Sequence, residues 1–252
     1  MELMLEAGEK VQRINHSLQL IYREEGLRFG TDAYLLAAFV RTGQGVCADL
    51  GSGTGVIPLL LMSYGKCRQA YAFEIQPEYA ALIRRNAELN GFENSIVSDC
   101  RDVRTITQKD TQGAVDYVVC NPPYMTGNSG KMNESMQKRT ARHETAGTVN
   151  DFCTSAFRIV KSGGLAYFVY RPDRLPSLVC GLRDNRLEPK RMVFVQPDPY
   201  AAPSLVLVEA QSGAREGMKI LPPICIYTDK DHKTHTKTYH DIYDSCQVGI
   251  MG

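Results

Sequence analysis

The stretch from Val46 to Met62 constrains the fold of this chain more than any other. An apolar run from Val46 to Leu50 passes straight into Asp49-Leu50-Gly51-Ser52-Gly53-Thr54-Gly55, and a second apolar run follows from Val56 to Met62. Strand, glycine turn and helix start together form the first unit of a doubly wound α/β sheet. Glycines in such a turn let a ligand lie against the backbone, where a side chain would block it. The spacing is G-x-G-x-G. Val56 breaks the dinucleotide fingerprint G-x-G-x-x-G, and no Gly-Lys-Ser/Thr follows to make a phosphate loop.

The units that follow keep the alternation. A strand from Ala70 to Phe73 ends at Glu74, 19 residues beyond Gly55. A carboxylate there is placed to accept both hydroxyls of a ribose; the plainer alternative is an exposed acid at a strand end. Pro77 opens a helix with Tyr79, Leu82, Ile83 and Ala87 on one face, closed by Gly91. Ser95 to Ser98 is a third strand, followed by Asp102, which is placed to accept from an adenine amino group, with Asp99 as the alternative. A fourth strand, Ala114 to Cys120, runs into Asn121-Pro122-Pro123-Tyr124. The two prolines fix two φ angles and remove two donors. A rigid turn with an amide at one end and an aromatic ring at the other suits a flat group bearing an NH2.

Elsewhere the pattern is coarser. Leu18, Leu20, Tyr22 and Leu27 alternate with polar residues and predict a hairpin over Glu24-Glu25-Gly26. Thr31 or Asp32 can cap a helix with an apolar face from Leu35 to Val40. Residues 125–144 read as a surface loop bearing Lys131, Lys138, Arg139 and Arg142, either simply solvated or a flap that contacts phosphate. Asn150 or Asp151 caps the next helix, which Gly163 terminates. Leu165 to Tyr170 is a strand, Pro172 to Asn185 a helix, and Met192 to Gln196 and Ser204 to Ala210 an antiparallel pair. The fold expected is α/β: a mostly parallel seven-stranded sheet, antiparallel at its last strand, with helices on both faces. No linker or repeat divides it. One domain is expected, with an extension over 1–45, a core over 46–210 and a tail over 211–252. His232, His235 and His240 lie in that tail without helical spacing or nearby cysteines, so it reads as solvated and basic, with no metal.

Composition sets outer limits. A net charge of +1 gives no global field, so any nucleic-acid site must come from local patches. The eight cysteines include no CxxC pair and read as reduced thiols of a cytoplasmic protein. The start carries no secretory signal, and no apolar run approaches the roughly 20 residues of a membrane span. Oligomeric state leaves no mark in the sequence.

Together, the glycine turn, Glu74 and Asn121-Pro122-Pro123-Tyr124 resemble the Rossmann-like class I S-adenosylmethionine-dependent methyltransferases that act on amino groups. Three further stretches resemble the bacterial tRNA-Val adenine-N6-methyltransferase family: Gly30-Thr31-Asp32-Ala33-Tyr34-Leu35-Leu36, Ala141-Arg142-His143-Glu144, and Leu221-Pro222-Pro223-Ile224-Cys225-Ile226-Tyr227. The stretch after Tyr227 departs from that pattern in its His and Lys content. The resemblance implies that Asp49, Gly51, Ser52, Gly53 and Gly55 hold the methionine end and backbone of the cofactor. It gives Glu74 the ribose and Asp102 the cofactor adenine, and sets Thr31 and Asp32 near the amino-acid end. It makes Asn121, Pro122, Pro123 and Tyr124 the catalytic turn facing the target base, with Asn121 also beside the cofactor. The substrate implied is the adenine 3′ of the anticodon, in the anticodon stem-loop of tRNA, with Lys131, Lys138, Arg139 and Arg142 on phosphates. His143 is a structural or RNA-contacting residue, or else a proton acceptor. The same turn fits a protein glutamine amide or another RNA or DNA amino group, and a non-catalytic RNA- or cofactor-binding module is the alternative of another class.

Overall fold

The computed structural model describes residues 5–26, 30–41, 43–123 and 147–248. It begins with an antiparallel hairpin of β1 (Glu9–Arg13) and β2 (Gln19–Arg23). The hairpin reverses at residues 14–18, not over Glu24-Glu25-Gly26. There the Asn15 side-chain oxygen accepts from the backbone N–H of Ser17 at 2.9 Å and of Leu18 at 2.8 Å. An Asx turn of this kind needs neither glycine nor proline, which is why apolar alternation alone misplaces it.

After α1 (Thr31–Phe39) the chain alternates: β3 (Gly45–Leu50), α2 (Val56–Ser63), β4 (Cys67–Glu74), α3 (Pro77–Leu89), β5 (Ile96–Cys100) and β6 (Val115–Cys120). Then come α4 (Val149–Ile159), β7 (Val160–Tyr170), α5 (Leu175–Asp184), β8 (Leu187–Gln196) and β9 (Leu205–Ser212). The strands lie in the order β5-β4-β3-β6-β7-β9-β8. All run parallel except β9, which is antiparallel to both β7 and β8. These are the seven strands expected. Side chains alternate between two apolar layers. Cys47 of β3 packs with α1 and α2, whereas Ala48 and Leu50 pack with α4 and α5.

Three local expectations are corrected. The N-cap of α1 is Gly30, with Thr31 and Asp32 already inside the helix. Thr148, not Asn150 or Asp151, caps α4: its hydroxyl accepts from the Asp151 N–H, and the Asp151 carboxylate accepts from the Thr148 N–H at 2.7 Å. Gly163 does not terminate that helix. It lies within β7 at φ +73°, where the β6–β7 register shifts.

Most of the tail is exposed, as a solvated basic segment would be, but it is not a free extension. Strands β10 (Lys219–Ile220) and β11 (Ile224–Cys225) both pair in parallel with β8, widening the sheet to nine strands among the described residues. Helix α6 (Lys237–Ser245) then packs on α1. The Tyr243 ring stacks on Tyr34 at 4.6 Å, and the Tyr34 hydroxyl donates to the Tyr243 carbonyl at 2.6 Å. His235 is stacked between Tyr227 and Tyr239, and His232 stacks on Tyr227. Ring packing, with Ile242 buried beneath, accounts for this segment.

Helix α1 is clamped at its carboxyl end. Lys66, buried beneath it, donates to the carbonyls of Ala37 (2.8 Å), Ala38 (3.1 Å) and Val40 (2.7 Å). These groups have no partner within the helix, and a cation is favoured at that end. Beside them Arg41 and Arg191 both pair with Glu209, a fully buried carboxylate on β9. The clamp fixes where the other end of α1, with Thr31 and Asp32, meets the sheet.

Candidate active site

The carboxyl ends of β3, β4, β5 and β6 bring the predicted residues to one edge, where open α/β sheets bind ligands. Asp49 is fully buried in β3, an interior strand of the sheet. One carboxylate oxygen, Oδ2, accepts from the Ser52 hydroxyl at 2.6 Å, while the buried Oδ1 has no hydrogen-bond partner in the structure. Burial pushes the carboxyl up to about 7, and the Glu74 charge adds to this against the downward pull of the Ser52 bond. An acid so placed is costly to the fold, and a cationic ligand on the turn above would offset the cost.

Gly51, Gly53 and Gly55 sit at φ +75°, +56° and +83°, in the left-handed region that glycine tolerates. A Cβ on Gly51 would come within 3.3 Å of the Phe152 ring, and one on Gly55 within 3.2 Å of Ile83. The N–H groups of Gly51 and Ser52 both donate to the Phe73 carbonyl, at 3.0 and 2.9 Å. Glu74, at the end of the neighbouring strand, accepts from the Gly53 N–H at 2.9 Å and from the Gln76 N–H at 3.0 Å. The ribose candidate is therefore also the strut of the glycine turn. Its spacing signalled the first part but not the second.

Asp102 follows β5 directly, next to Arg101, whose N–H donates to the Glu74 carbonyl at 2.9 Å. Its carboxylate caps the following 3₁₀ turn through the Arg104 N–H and pairs with the Arg104 guanidinium, which holds it below the usual carboxylate range. Asp99, the alternative, is paired with Arg101 at 2.7 Å. Both adenine candidates thus already have arginine partners.

Asn121 stands just past β6, with Pro122 buried behind it. Its side-chain NH2 donates to Asp32 Oδ2 at 2.9 Å, and Asp32 Oδ1 accepts from the Ala33 N–H at 2.9 Å. The amide thus turns its NH2 towards Asp32 and its oxygen away. Thr31 lies beside the Tyr239 hydroxyl of α6. No sequence spacing linked position 32 to 121 or the tail to Thr31; the amphipathic run Tyr239, Ile242, Tyr243 was the available sign of a packed helix. Tyr124, Lys131, Lys138, Arg139, Arg142 and His143 lie outside the described residues.

Three left-handed glycines over a buried, half-partnered carboxylate, a second carboxylate on the next strand and an oriented amide fit a cofactor that carries both positive charge and a ribose. With the strand order and the single antiparallel strand, they define a class I S-adenosylmethionine-dependent methyltransferase. The chain belongs to the methyltransferase small domain family, whose model matches residues 15–173.

Several relatives bear the name tRNA1(Val) (adenine(37)-N6)-methyltransferase. One from Porphyromonas gingivalis is 28% identical over 190 residues, covering 73% of this chain and 74% of the relative. One from Bacteroides fragilis is 28% identical over 184 residues, covering 72% and 76%. Among solved structures, a predicted O-methyltransferase from Agrobacterium tumefaciens superposes with a TM-score of 0.70 at 21% identity, covering 86% of this chain and 98% of that one. TYW2 from M. jannaschii, in complex with AdoMet, gives 0.56 at 17% identity, covering 83% and 88%. At these identities the structures speak to the fold alone.

Proposed function

We propose that the protein transfers the methyl group of S-adenosylmethionine to the exocyclic N6 of an adenine in tRNA. The adenine is the one 3′ of the anticodon in a valine tRNA, reached in the anticodon stem-loop, and the reaction takes place in the cytoplasm. No helix among the described residues is long and apolar enough to cross a membrane. The names of the relatives support the substrate. The observation that carries the chemistry is the Asn121–Asp32 hydrogen bond at the end of β6.

When bound, the cofactor supplies a methyl already activated on a sulfonium. The amino-acid end and backbone of that cofactor fall to Asp49, Gly51, Ser52, Gly53 and Gly55, bordered by Thr31 and Asp32. Its ribose falls to Glu74 and its adenine to Asp102. The difficulty lies in the nucleophile, since the lone pair of a purine amino nitrogen is delocalised into the ring. In this reading the Asn121 side-chain oxygen and the Pro122 carbonyl each accept one N–H of that amino group. The two bonds favour a pyramidal nitrogen and stabilise the positive charge that develops there. Asp32 holds the amide in the accepting orientation. Tyr124 stacks on the base, and alignment of nitrogen, methyl and sulfur supplies much of the rate. No strong base is needed, because the methylated nitrogen is acidic enough to release its proton to water. A base in an anticodon loop is already unstacked at low cost. Phosphate contacts fall to Lys131, Lys138, Arg139 and Arg142.

Asn121→Ala tests the assignment. Methyl transfer to tRNA should fall by about 100- to 1,000-fold, while the variant still binds S-adenosylmethionine. Turnover near wild type in that variant would sink the mechanism.

A further inference from the structure

The sheet edge that holds Asn121 continues past it, and its register is level. Cys120 of β6 faces Phe168 of β7, and Tyr170 of β7 and Phe194 of β8 both face Val206 of β9. The segments leaving β7 and β8 therefore emerge on the same rim as the catalytic turn. The segment after β7 begins Arg171-Pro172-Asp173-Arg174. Arg171 pairs with Asp173 at 3.0 Å, both half exposed, an interaction weak enough to yield to a phosphate.

The segment after β8 is residues 197–203, and its Tyr200 is 73% exposed, more than any other large apolar residue among the described residues. The loop beneath is held firmly. The buried Asp198 accepts from the Tyr200 N–H at 2.8 Å and bonds His232 of the tail at 3.0 Å, and Gln196 donates to the Ala201 carbonyl at 3.0 Å. Lys230, from the same tail segment as His232, places its ammonium 5.2 Å from the centre of the Tyr200 ring. A largely exposed aromatic ring with a cation over it, on a fixed loop, contributes little to the protein core. It is the arrangement on which an unpaired nucleobase stacks while its phosphate meets the cation. Asp229 on the same tail turn is engaged locally, accepting from Thr228 and from the Asp231 N–H.

We propose that Arg171, Arg174, Tyr200 and Lys230 form the footprint of the RNA strand flanking the target base, with Tyr200 stacking an unpaired nucleobase. The reading rests on the tRNA substrate proposed above. Three strand spacings separate β8 from β6 in the sheet order, or about 14 Å, so the stacked base lies a few nucleotides from the base at Asn121. The tail, through Lys230 and the His232–Asp198 contact, is part of the recognition surface.

The test uses the full chain with unmodified tRNA transcript and S-adenosylmethionine. Tyr200→Ala should raise KM for tRNA by about 5- to 150-fold, the range for losing one base–aromatic stack, with kcat and cofactor affinity unchanged. Tyr200→Phe, which keeps the ring, should restore the wild-type KM. Lys230→Ala and Arg174→Ala should each lower the slope of log affinity against log salt by about one. If wild type methylates the transcript and Tyr200→Ala changes KM by less than about twofold, the footprint is wrong while the tRNA substrate stands. If wild type leaves tRNA unlabelled and instead labels a protein, the substrate reading falls and takes the footprint with it.

Discussion

Asp49 gives the account a sharp dependence on pH. Its carboxyl, ordinarily near 3.8, is pushed up to about 7 by burial and by the nearby Glu74 charge. A cationic cofactor laid on the glycine turn favours the ionised form. Without it, a carboxyl titrating at about 7 is roughly one-tenth ionised at pH 6 and nine-tenths at pH 8. The affinity for S-adenosylmethionine should therefore rise about tenfold between those pH values, or about 1.4 kcal/mol. Isothermal calorimetry at pH 6, 7 and 8 measures it, and repeating the titration in buffers of different ionisation enthalpy counts the proton released. Asn at position 49 cannot ionise, so Asp49→Asn should bind more weakly and show no slope. The unliganded protein should behave in the opposite sense. A carboxyl raised in the folded state holds a proton that the unfolded chain has already lost. Its contribution to stability is complete below about pH 4 and is lost as pH rises through about 7, a change of up to about 4 kcal/mol. Saturating cofactor should flatten that loss. A wild-type affinity that is flat from pH 6 to 8 would refute the reasoning.

Two further outcomes concern stability. Lys66→Met removes three hydrogen bonds to the end of α1 and relieves a buried ammonium whose own value burial has pushed down to about 8. The loss should outweigh the relief because the carbonyls stay buried, costing about 2–4 kcal/mol in urea unfolding; an unchanged midpoint would show that the clamp is dispensable. Truncation after Ser212 strips β10, β11 and α6 from β8 and α1. Loss of buried Ile224 and Ile242 alone corresponds to about 3–6 kcal/mol, so the shortened protein should melt well below the full chain, whereas an equal melting temperature would show that the packed part of the tail adds no stability.

The parts of the fold that could be read from sequence were those where one residue type has one physical use. Glycines at 51, 53 and 55 announced a turn with positive φ, and the strand and helix runs around them came through as expected. Glu74 and Asn121 could be placed because one ends an apolar strand and the other directly follows one. The readings that failed lay where a polar side chain does work usually left to glycine or to a cap. Asn15 makes the hairpin turn, and Thr148 takes the cap from its neighbours. Gly163 looked like a helix stop because a bulge and a helix end both use a left-handed glycine. The tail misled for a different reason. Its Lys and His content suggested water, and most of those residues are exposed, but its rings also pack on each other and on Tyr34, a contact more than 200 residues away in sequence. The Asp32–Asn121 bond is of the same long-range kind.

The central claim is that this site places a methyl group on the N6 of a tRNA adenine. The most direct measurement is incubation of the protein with methyl-labelled S-adenosylmethionine and unmodified tRNA, followed by digestion and identification of the labelled nucleoside. The account predicts N6-methyladenosine, mapped to the position 3′ of the anticodon in a valine tRNA and absent with Asn121→Ala. Label on another nucleoside, on protein glutamine, or on neither would contradict it.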